Sequence, residues 1–287
     1  MIYLSKIKKM LLNLMAFFYT VYISNVSCRK KFKVYWWNGK INFGDILNQY
    51  ILEKIMGYDL CWVDIRYFKA PHLIMIGSIA HRANKYSYIL GSGYITKDPT
   101  NRISKETFMI RGEKSLALLL TDKAKEKILL ADPGLFVSEF YHPNIEKKYK
   151  LGIIPHYVDY EFFKTTIDEK NVLIIDLENN NIEATLRLIL SCENIISTSL
   201  HGLIISDSYQ IPNLWLVKNN KPKYWNFKFQ DYYSSLNINK IEPTLYNDNI
   251  KIYEFIKLCS KKEIPFNTKD YYDYFKEKLN YINKEVS

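Results

Sequence analysis

The sequence has few cysteines for its 287 residues, and none of them belongs to a CxxC motif. The four cysteines lie far apart along the chain, at Cys28, Cys61, Cys192 and Cys259. Zinc sites and disulfide frameworks use closely and regularly spaced cysteines, so the sequence predicts neither kind of site. This cysteine usage is typical of a reducing compartment, and we expect a cytoplasmic protein without a bound metal.

The sequence also lacks a complete dinucleotide-binding fingerprint, an internal repeat and a recognisable nucleic-acid-binding motif. The formal net charge of +10 and the pI near 9.1 favour anionic partners. Phosphorylated metabolites, acidic polysaccharides and anionic lipids are therefore the expected partner classes, and nucleic acid is not. Lysines that simply lie in solvent would produce the same net charge.

The first 31 residues contain a mostly apolar run, Met10 to Val26, between two groups of basic residues. Asn13, Thr20 and Asn25 interrupt the run, and no small-x-small cleavage site follows it. Three interpretations stay open: a signal or transmembrane segment, a membrane-surface helix, and an ordinary leading helix.

After this N-terminal segment, short β-rich runs alternate with helical ones, which predicts parallel sheets covered by helices on both faces. A polar, charged break at residues 140–150 divides the alternation into two series of similar size. We therefore predict an α/β fold with two Rossmann-like domains, residues 32–145 and 146–240, that face each other across a cleft. Residues 1–31 would form a separate segment, and residues 241–287 would form helices that pack back on the first domain.

The segment from Asn194 to Leu216 has the pattern of a strand, a small polar turn, a helix and a second strand. His201 lies at the junction of turn and helix, where α/β proteins present groups that contact ligands. His156 follows the first strand of the second domain and occupies the same kind of strand end. Two histidines at such positions indicate a site more strongly than one, although a lone histidine is more often structural.

Other polar or glycine-rich segments end strands of the first domain. Asp45 follows Gly44 in the loop before the first helix, where an aspartate can contact a ligand or simply cap the helix. Gly91 and Gly93 can form a backbone nest for an anion, or a plain turn. Arg111 ends another strand, where it can bind a phosphate or carboxylate or form a surface salt bridge.

These segments, in this order, resemble the polysaccharide pyruvyl transferase family. The matching motifs are Asn42-Phe43-Gly44-Asp45, Gly91-Ser92-Gly93, Arg111-Gly112, Asp132-Pro133, Ile154-Pro155-His156-Tyr157 and Thr198-Ser199-Leu200-His201-Gly202. The resemblance covers residues 32–218, and the Ser-Leu-His-Gly form is similar to a succinoglycan-type branch. It implies a fold like that of GT-B glycosyltransferases. It also implies transfer of a pyruvyl group, as a ketal, from phosphoenolpyruvate to a sugar of a bacterial surface polysaccharide.

The resemblance implies roles for individual residues. His201 would act as an acid or as a ligand of the phosphate, and Asp45 as a base or acceptor-binding group. Arg111 and the helix N-terminus at Gly202 would bind the anionic groups of the donor. Many members of the family have an arginine where this chain has Ser199, so another cation must compensate. The candidates are Arg111, Arg187, Lys218 and the basic stretch from Lys221.

The implied partners are phosphoenolpyruvate as co-substrate and a sugar or lipid-linked oligosaccharide as acceptor, with no further cofactor. Contact with the inner face of the cell membrane depends on the N-terminal segment. The alternative enzyme is a GT-B-type glycosyltransferase that uses a nucleotide-activated sugar in capsule or lipopolysaccharide synthesis. A basic membrane- or nucleic-acid-associated module is a third interpretation, and it would not depend on His201.

Overall fold

The structure of the protein is a computed structural model, which describes residues 2–121, 125–218, 225–247 and 251–287. Two parallel β-sheets organise these residues, the first built from the N-terminal half of the chain and the second from the C-terminal half. The predicted pair of α/β domains is therefore confirmed.

The first sheet has six parallel strands in the order β2-β1-β3-β4-β5-β6. Most of its strand residues are buried, as expected for a parallel sheet covered on both faces. The strands are β1 (Phe32–Tyr35), β2 (Leu60–Trp62), β3 (His72–Ile74), β4 (Ser87–Leu90), β5 (Glu106–Ile110) and β6 (Leu129–Leu130).

The helix after β1, α2 (Phe43–Gln49), carries part of the site and continues as a π-helical segment, Tyr50–Ile55. Its cap is Asn42, whose Oδ1 atom accepts the backbone N–H of Gly44 at 3.2 Å. The interpretation of Asp45 as the cap is therefore wrong, because that residue lies inside the first turn. The other helical elements of this half are α3 (Glu113–Leu118) and the 3-10 segments Ala80–Arg82, Lys125–Lys127 and Pro133–Glu139.

The second sheet has five parallel strands in the order β11-β10-β9-β7-β8. They are β7 (Tyr149–Ile154), β8 (Val172–Ile174), β9 (Cys192–Ser197), β10 (Asn213–Val217) and β11 (Thr244–Leu245). The helices are α4 (Tyr160–Thr166), α5 (Ile182–Leu190), α6 (Leu200–Ser208), α7 (Asn226–Ser235) and α8 (Thr268–Val286), with a 3-10 segment, Ile252–Leu258. A helix was predicted over the range of that 3-10 segment.

The two sheets present their carboxyl edges to each other. The start of α2, which follows β1, contacts the start of α6, which follows β9. The last helix, α8, packs on the first sheet, where Tyr88 donates to Glu285 at 3.0 Å and Tyr58 donates to Asn280 at 2.7 Å. The chain thus crosses twice between the two halves, and a continuous hydrophobic core joins them.

The N-terminal helix, α1 (Ile2–Tyr22), lies outside both sheets and continues as a π-helical turn, Ile23–Ser27. A disulfide between Cys28 and Cys61, with Cα atoms 5.7 Å apart, joins the end of this segment to β2. The prediction of no disulfide is therefore wrong. The sequence separation of 33 residues hid a proximity that arises only when β1 and β2 pair.

Candidate active site

His201 lies in the first turn of α6, at the interface between the two domains. The residue is 8% exposed, and its Nε2 atom has no hydrogen-bond partner within the described part of the chain. The imidazole packs on the backbone of Gly44, where any Cβ atom would overlap the ring. A glycine at the start of α2 is therefore what allows His201 to approach the first domain so closely.

Asp132 faces His201 from the first domain, just after β6. Its Oδ2 atom lies 3.9 Å from Nε2 of His201, which is too far for a hydrogen bond, and it has no other partner among the described residues. Its Oδ1 atom accepts the backbone N–H of Gly134 at 2.9 Å. Buried polar atoms are nearly always hydrogen-bonded, so these two facing atoms leave the hydrogen bonding of the interface incomplete at this point.

Burial determines the charge state of both groups. It lowers the pKa of His201 to about 3, and the positive charges of Lys228 and Arg111 act in the same direction. It raises the pKa of Asp132 to about 6, against the effects of the Gly134 hydrogen bond and of Arg111. At neutral pH the imidazole is neutral and the carboxyl is mostly ionised, so the two groups do not form an ion pair. An anion bound beside His201 would raise the pKa of the imidazole.

Asp45 is a second carboxyl at this interface, one residue beyond the glycine that contacts His201. It is 6% exposed and accepts hydrogen bonds from the backbone N–H of Trp37 and the side chain of Asn42. Burial nevertheless raises the pKa of Asp45 to about 7, although these hydrogen bonds and the charge of Lys228 oppose the shift. A carboxyl that titrates near neutrality is well suited to exchange a proton with a hydroxyl group.

Arg111 is fully buried, and its guanidinium group is bound within the protein. Nε donates to Oδ2 of Asp231 at 2.9 Å, Nη1 donates to Oγ of Ser78 at 2.5 Å, and Nη2 donates to the carbonyl oxygen of Tyr94 at 2.6 Å. A protein carboxylate thus occupies the position expected for a bound anion. Of the two interpretations of Arg111, the structure therefore agrees better with the salt bridge than with anion binding. The salt bridge is buried, however, and not on the surface, and it joins the first domain to α7.

Gly91 and Gly93 do not offer a free backbone nest. The N–H of Gly91 donates to the carbonyl of Met109 at 2.7 Å, and the N–H of Gly93 donates to the carbonyl of Gly77 at 3.0 Å. Gly93 instead leaves room for the Arg111 guanidinium, whose Cζ atom would lie 2.5 Å from a Cβ atom at that position. The predicted anion-binding glycines therefore serve close packing.

His156 and Ser199 line a small crevice between the domains. The backbone N–H of His156 donates to Oγ1 of Thr198 at 2.8 Å, and its ring meets the Trp225 ring edge-on, with centroids 5.1 Å apart. Ser199 immediately precedes α6, and its backbone N–H donates to Oγ of Ser197 at 3.0 Å. The wall on the side of the first domain is formed by Ile41 and Asn42. The crevice therefore opens beside the first turn of α6.

Gly202 lies one residue beyond His201 and faces the second sheet. A Cβ atom there would collide with Oγ of Ser197, and it would lie 2.8 Å from Cγ2 of Ile154. The glycine therefore allows α6 to pack closely on β7 and β9. This packing brings the N-terminus of α6, and His201 with it, to the edge of the sheet.

The candidate cations differ in position. Arg187 is exposed on α5, and the ammonium group of Lys218 lies 3.4 Å from the centre of the Phe162 ring. Lys221 lies outside the described residues. Lys228, on α7, acts electrostatically on both Asp45 and His201. Of the candidate cations that the structure describes, Lys228 is the one whose charge acts on both Asp45 and His201.

Asp132 belongs to a motif that matched the family, but no role was predicted for it. Lys228 belongs to the basic stretch from Lys221, which was a candidate for the compensating cation only as a whole. Asp132 satisfies the criterion that selected Arg111, a polar residue at the carboxyl end of a strand, so the sequence did contain a signal for it. Lys228 lies in a basic, aromatic stretch where nothing distinguishes it from the neighbouring lysines. Only the packing of α7 against the first domain shows its position.

The fold is that of a two-domain α/β protein with buried titratable groups, His201, Asp132 and Asp45, at the carboxyl edges of its two sheets. Residues 18–220 match the sequence profile of the polysaccharide pyruvyl transferase family. The chain belongs to this family, as its motifs predicted. It is therefore a transferase, and its family transfers pyruvyl groups to polysaccharides.

The chain is similar to two curated proteins. It is 31% identical over 242 residues to uncharacterized protein L143 of Acanthamoeba polyphaga mimivirus, a match that covers 79% of this chain and 83% of that protein. It is 21% identical over 215 residues to the succinoglycan biosynthesis protein ExoV of Rhizobium meliloti (strain 1021). That match covers 72% of this chain and 65% of ExoV.

Among solved structures, the chain is similar to the wall teichoic acid polymerase TagF. The TM-score is 0.41 at 11% sequence identity, and the match covers 99% of this chain and 90% of that chain.

Proposed function

We propose that the enzyme transfers a pyruvyl group from phosphoenolpyruvate to two hydroxyl groups of a sugar in a surface polysaccharide, forming a ketal. The observation that carries the proposal is the facing pair of unpartnered atoms, Nε2 of His201 and Oδ2 of Asp132. This pair lies at the N-terminus of α6, where the helix dipole favours an anionic group. The phosphate and carboxylate groups of phosphoenolpyruvate are such anions.

Ketal formation adds one proton to the methylene carbon of phosphoenolpyruvate and breaks the bond between the enol carbon and the phosphate oxygen. Two sugar oxygens then bond to that carbon, and their hydroxyl groups release two protons. One of these protons replaces the proton taken up by the methylene carbon, and the other leaves with the phosphate. The reaction therefore needs groups that both give and accept protons, but no oxidant or reductant.

The roles follow from the charge states. The bound anion raises the pKa of His201, so the imidazole can take up a proton and deliver it to the donor. Asp132 stabilises the resulting imidazolium. Asp45, with a pKa raised to about 7, accepts a hydroxyl proton from the sugar.

Lys228 takes the place of the arginine that many family members have at the position of Ser199. Its ammonium group lies 5.1 Å from the centre of the Trp225 ring and 5.3 Å from that of Phe229. Its positive charge lowers the pKa of both Asp45 and His201. This position supports a role in binding the phosphate or carboxylate of the donor.

The test is release of phosphate from phosphoenolpyruvate by the purified protein with a panel of polysaccharide acceptors. We expect His201→Ala to reduce turnover by at least about a hundredfold, the size of a general acid–base contribution, while circular dichroism shows a folded protein. Full turnover by His201→Ala would remove this residue from the mechanism. A nucleotide-activated sugar could raise the melting temperature of the protein while phosphoenolpyruvate does not. That result would contradict phosphoenolpyruvate as the donor and support the glycosyltransferase alternative.

Lys228→Gln provides a separate test of the donor site. We expect it to raise KM for phosphoenolpyruvate about tenfold or more, with a smaller change in kcat, because it removes a charge that binds the donor. Lys164→Gln, an exposed lysine on α4, is the matched control. An unchanged KM in Lys228→Gln would leave the compensating cation unassigned.

We also propose that the acceptor is a sugar or a lipid-linked oligosaccharide and that transfer takes place at the inner face of a membrane. The exposed, apolar α1 supports this location. The proposed reaction uses phosphoenolpyruvate as co-substrate and no cofactor or metal, so turnover should persist after treatment with a chelator.

A further inference from the structure

Helix α1 is attached to the first domain along one narrow strip. Ala16 is buried at this contact, and the backbone N–H of Lys69 donates to Oγ1 of Thr20 at 2.9 Å. The backbone N–H of Asp64 donates to the hydroxyl of Tyr19 at 3.2 Å. The disulfide at Cys28 holds the chain just beyond the helix. The contacts therefore lie in the C-terminal part of α1.

The other faces of α1 are apolar and exposed. Phe18 is 61% exposed and Met15 is 59% exposed. Further exposed large hydrophobic residues on the helix are Ile7, Met10, Leu11, Leu12, Leu14, Phe17, Val21 and Tyr22. The segment Met10–Ser27 is long and apolar enough to cross a membrane, and only 11% of it is buried. Contiguous apolar surface of this kind indicates contact with a membrane or another protein.

Basic residues lie on and beside α1. The sequence of the helix contains three lysines and no aspartate or glutamate, and the acidic neighbour Asp64 is paired with Arg66. Two more exposed lysines, Lys69 and Lys85, lie beside the helix on the first domain. An apolar helix surrounded by basic residues matches the surface of a bilayer that contains anionic lipids.

A groove of about 710 Å³ runs between α1 and the first domain. Phe17 and Val21 of the helix and Ile103 of the domain supply apolar lining, while Lys69 and Lys85 contribute positive charge. The groove thus combines apolar surface for an acyl chain with cations for a phosphate headgroup. Free phosphate would use only the lysines.

We propose that α1 seats the enzyme on an anionic bilayer surface and that the groove beside it holds a phospholipid, with the headgroup phosphate at Lys69 and Lys85. The helix lies at the interface rather than across the bilayer, because hydrogen bonds of Tyr19 and Thr20 keep its C-terminal end on the first domain. This inference rests on the proposed membrane location but is independent of the proposed donor.

The test is sedimentation of the 287-residue chain with phosphatidylcholine vesicles, with and without phosphatidylglycerol. We expect binding to the anionic vesicles that weakens at high salt. Phe18→Glu should weaken this binding more than tenfold, because it places a charge in the apolar surface. Leu258→Glu, at a residue that is 55% exposed in the second domain, is the matched control and should bind like the wild type.

The groove is tested with Lys69→Gln and Lys85→Gln. Each should weaken binding to anionic vesicles about fivefold, whereas Lys164→Gln should not. Inorganic phosphate at millimolar concentration should not displace the protein from vesicles, since it does not fill the apolar part of the groove. Equal binding to both kinds of vesicle, or unchanged binding by both lysine variants, would overturn the headgroup assignment.

Failure of this inference is distinguishable from failure of the proposed reaction, because vesicle binding requires no donor. A wild-type protein that does not sediment with either vesicle overturns the inference even if phosphoenolpyruvate is turned over. A dimer in sedimentation velocity that Phe18→Glu dissociates would assign α1 to contact between copies of this chain instead. Circular dichroism of each variant verifies that the loss of binding is not a loss of folding.

Discussion

Two buried pairs of side chains join the domains, Arg111–Asp231 and His201–Asp132. They differ in whether their polar atoms are hydrogen-bonded within the protein. Arg111 and Asp231 are both fully buried, and Asp231 also accepts hydrogen bonds from the backbone N–H and the hydroxyl of Ser115 at 2.6 Å each. His201 and Asp132 are buried as well, yet the atoms that face each other have no partner among the described residues. One pair is complete without a ligand, and the other is not.

This difference in hydrogen bonding indicates that one pair has a structural role and the other a functional one. A buried ion pair with all its hydrogen bonds holds two elements in a defined relation, and here it fixes α7 to the first domain. Unpartnered buried polar atoms lower stability and persist where a bound group or a reaction uses them. The first pair therefore positions the site, and the second is part of it.

The largest effect is expected on turnover from Asp132→Asn. The amide retains the oxygen that accepts the Gly134 N–H but removes the negative charge that stabilises protonated His201. We expect kcat to fall about a hundredfold or more, while the free energy of unfolding does not fall, because burial already disfavours the charged form of Asp132. Phosphate release and urea denaturation measure the two quantities. A large loss of stability would show that Asp132 belongs with the structural pair.

The reverse result is expected for Arg111→Met. This variant leaves the carboxylate of Asp231 buried without its partner, which should lower the free energy of unfolding by about 3–5 kcal/mol. Adding Asp231→Leu removes the unpaired charge and should recover much of the loss. If Arg111→Met unfolds with the stability of the wild type but no longer binds phosphoenolpyruvate, the guanidinium is a donor ligand after all.

Two glycines provide a matched pair of smaller changes. Gly44→Ala brings a methyl group against the His201 ring, and Gly93→Ala brings one against the Arg111 guanidinium. We expect Gly44→Ala to reduce kcat about tenfold or more by displacing the imidazole, whereas Gly93→Ala should mainly cost about 1–3 kcal/mol of stability. Similar losses of activity and stability in both variants would remove the distinction between the two pairs.

The last prediction concerns the dependence of stability on pH, measured with Asp45→Asn. Burial raises the pKa of Asp45 from 3.8 to about 7, so between these values the folded protein binds the proton that the unfolded chain releases. The contribution of Asp45 to the free energy of unfolding therefore falls as pH rises through this window. We expect Asp45→Asn to gain stability relative to the wild type from about pH 4 to about pH 7, by at most about 4 kcal/mol. A constant difference across this range would contradict the raised pKa.

Much of the fold could be predicted from the sequence. Alternating β-rich and helical runs indicated two parallel sheets, because strands buried on both faces are continuously apolar and crossover helices follow them. The segment around His201 was correctly interpreted as strand, turn, helix and strand. The short edge strands β2 and β11 were missed, since two or three residues carry no periodicity. The disulfide was also missed, because its cysteines meet through strand pairing alone.

The site was predictable only in part. The expectation that functional groups follow strands at the sheet edge placed His201 and Asp45 at one interface, where the structure also has them. The same criterion selected Arg111 and the Gly91–Gly93 turn, whose donors are bound within the protein. Spacing along the chain cannot distinguish a free donor from an occupied one, because the partner that occupies it, Asp231, is 120 residues away.

The sequence by itself therefore determined the family, the two parallel sheets and the position of the histidine at a helix N-terminus. These features depend on local patterns, namely apolar periodicity, glycines at turns and short motifs in a fixed order. The tertiary structure decided which charges are satisfied. It paired Arg111 with Asp231, left His201 facing Asp132 and placed Lys228 where its charge acts on both Asp45 and His201. Burial and partnership depend on how distant segments pack, and no short segment of the chain contains that information.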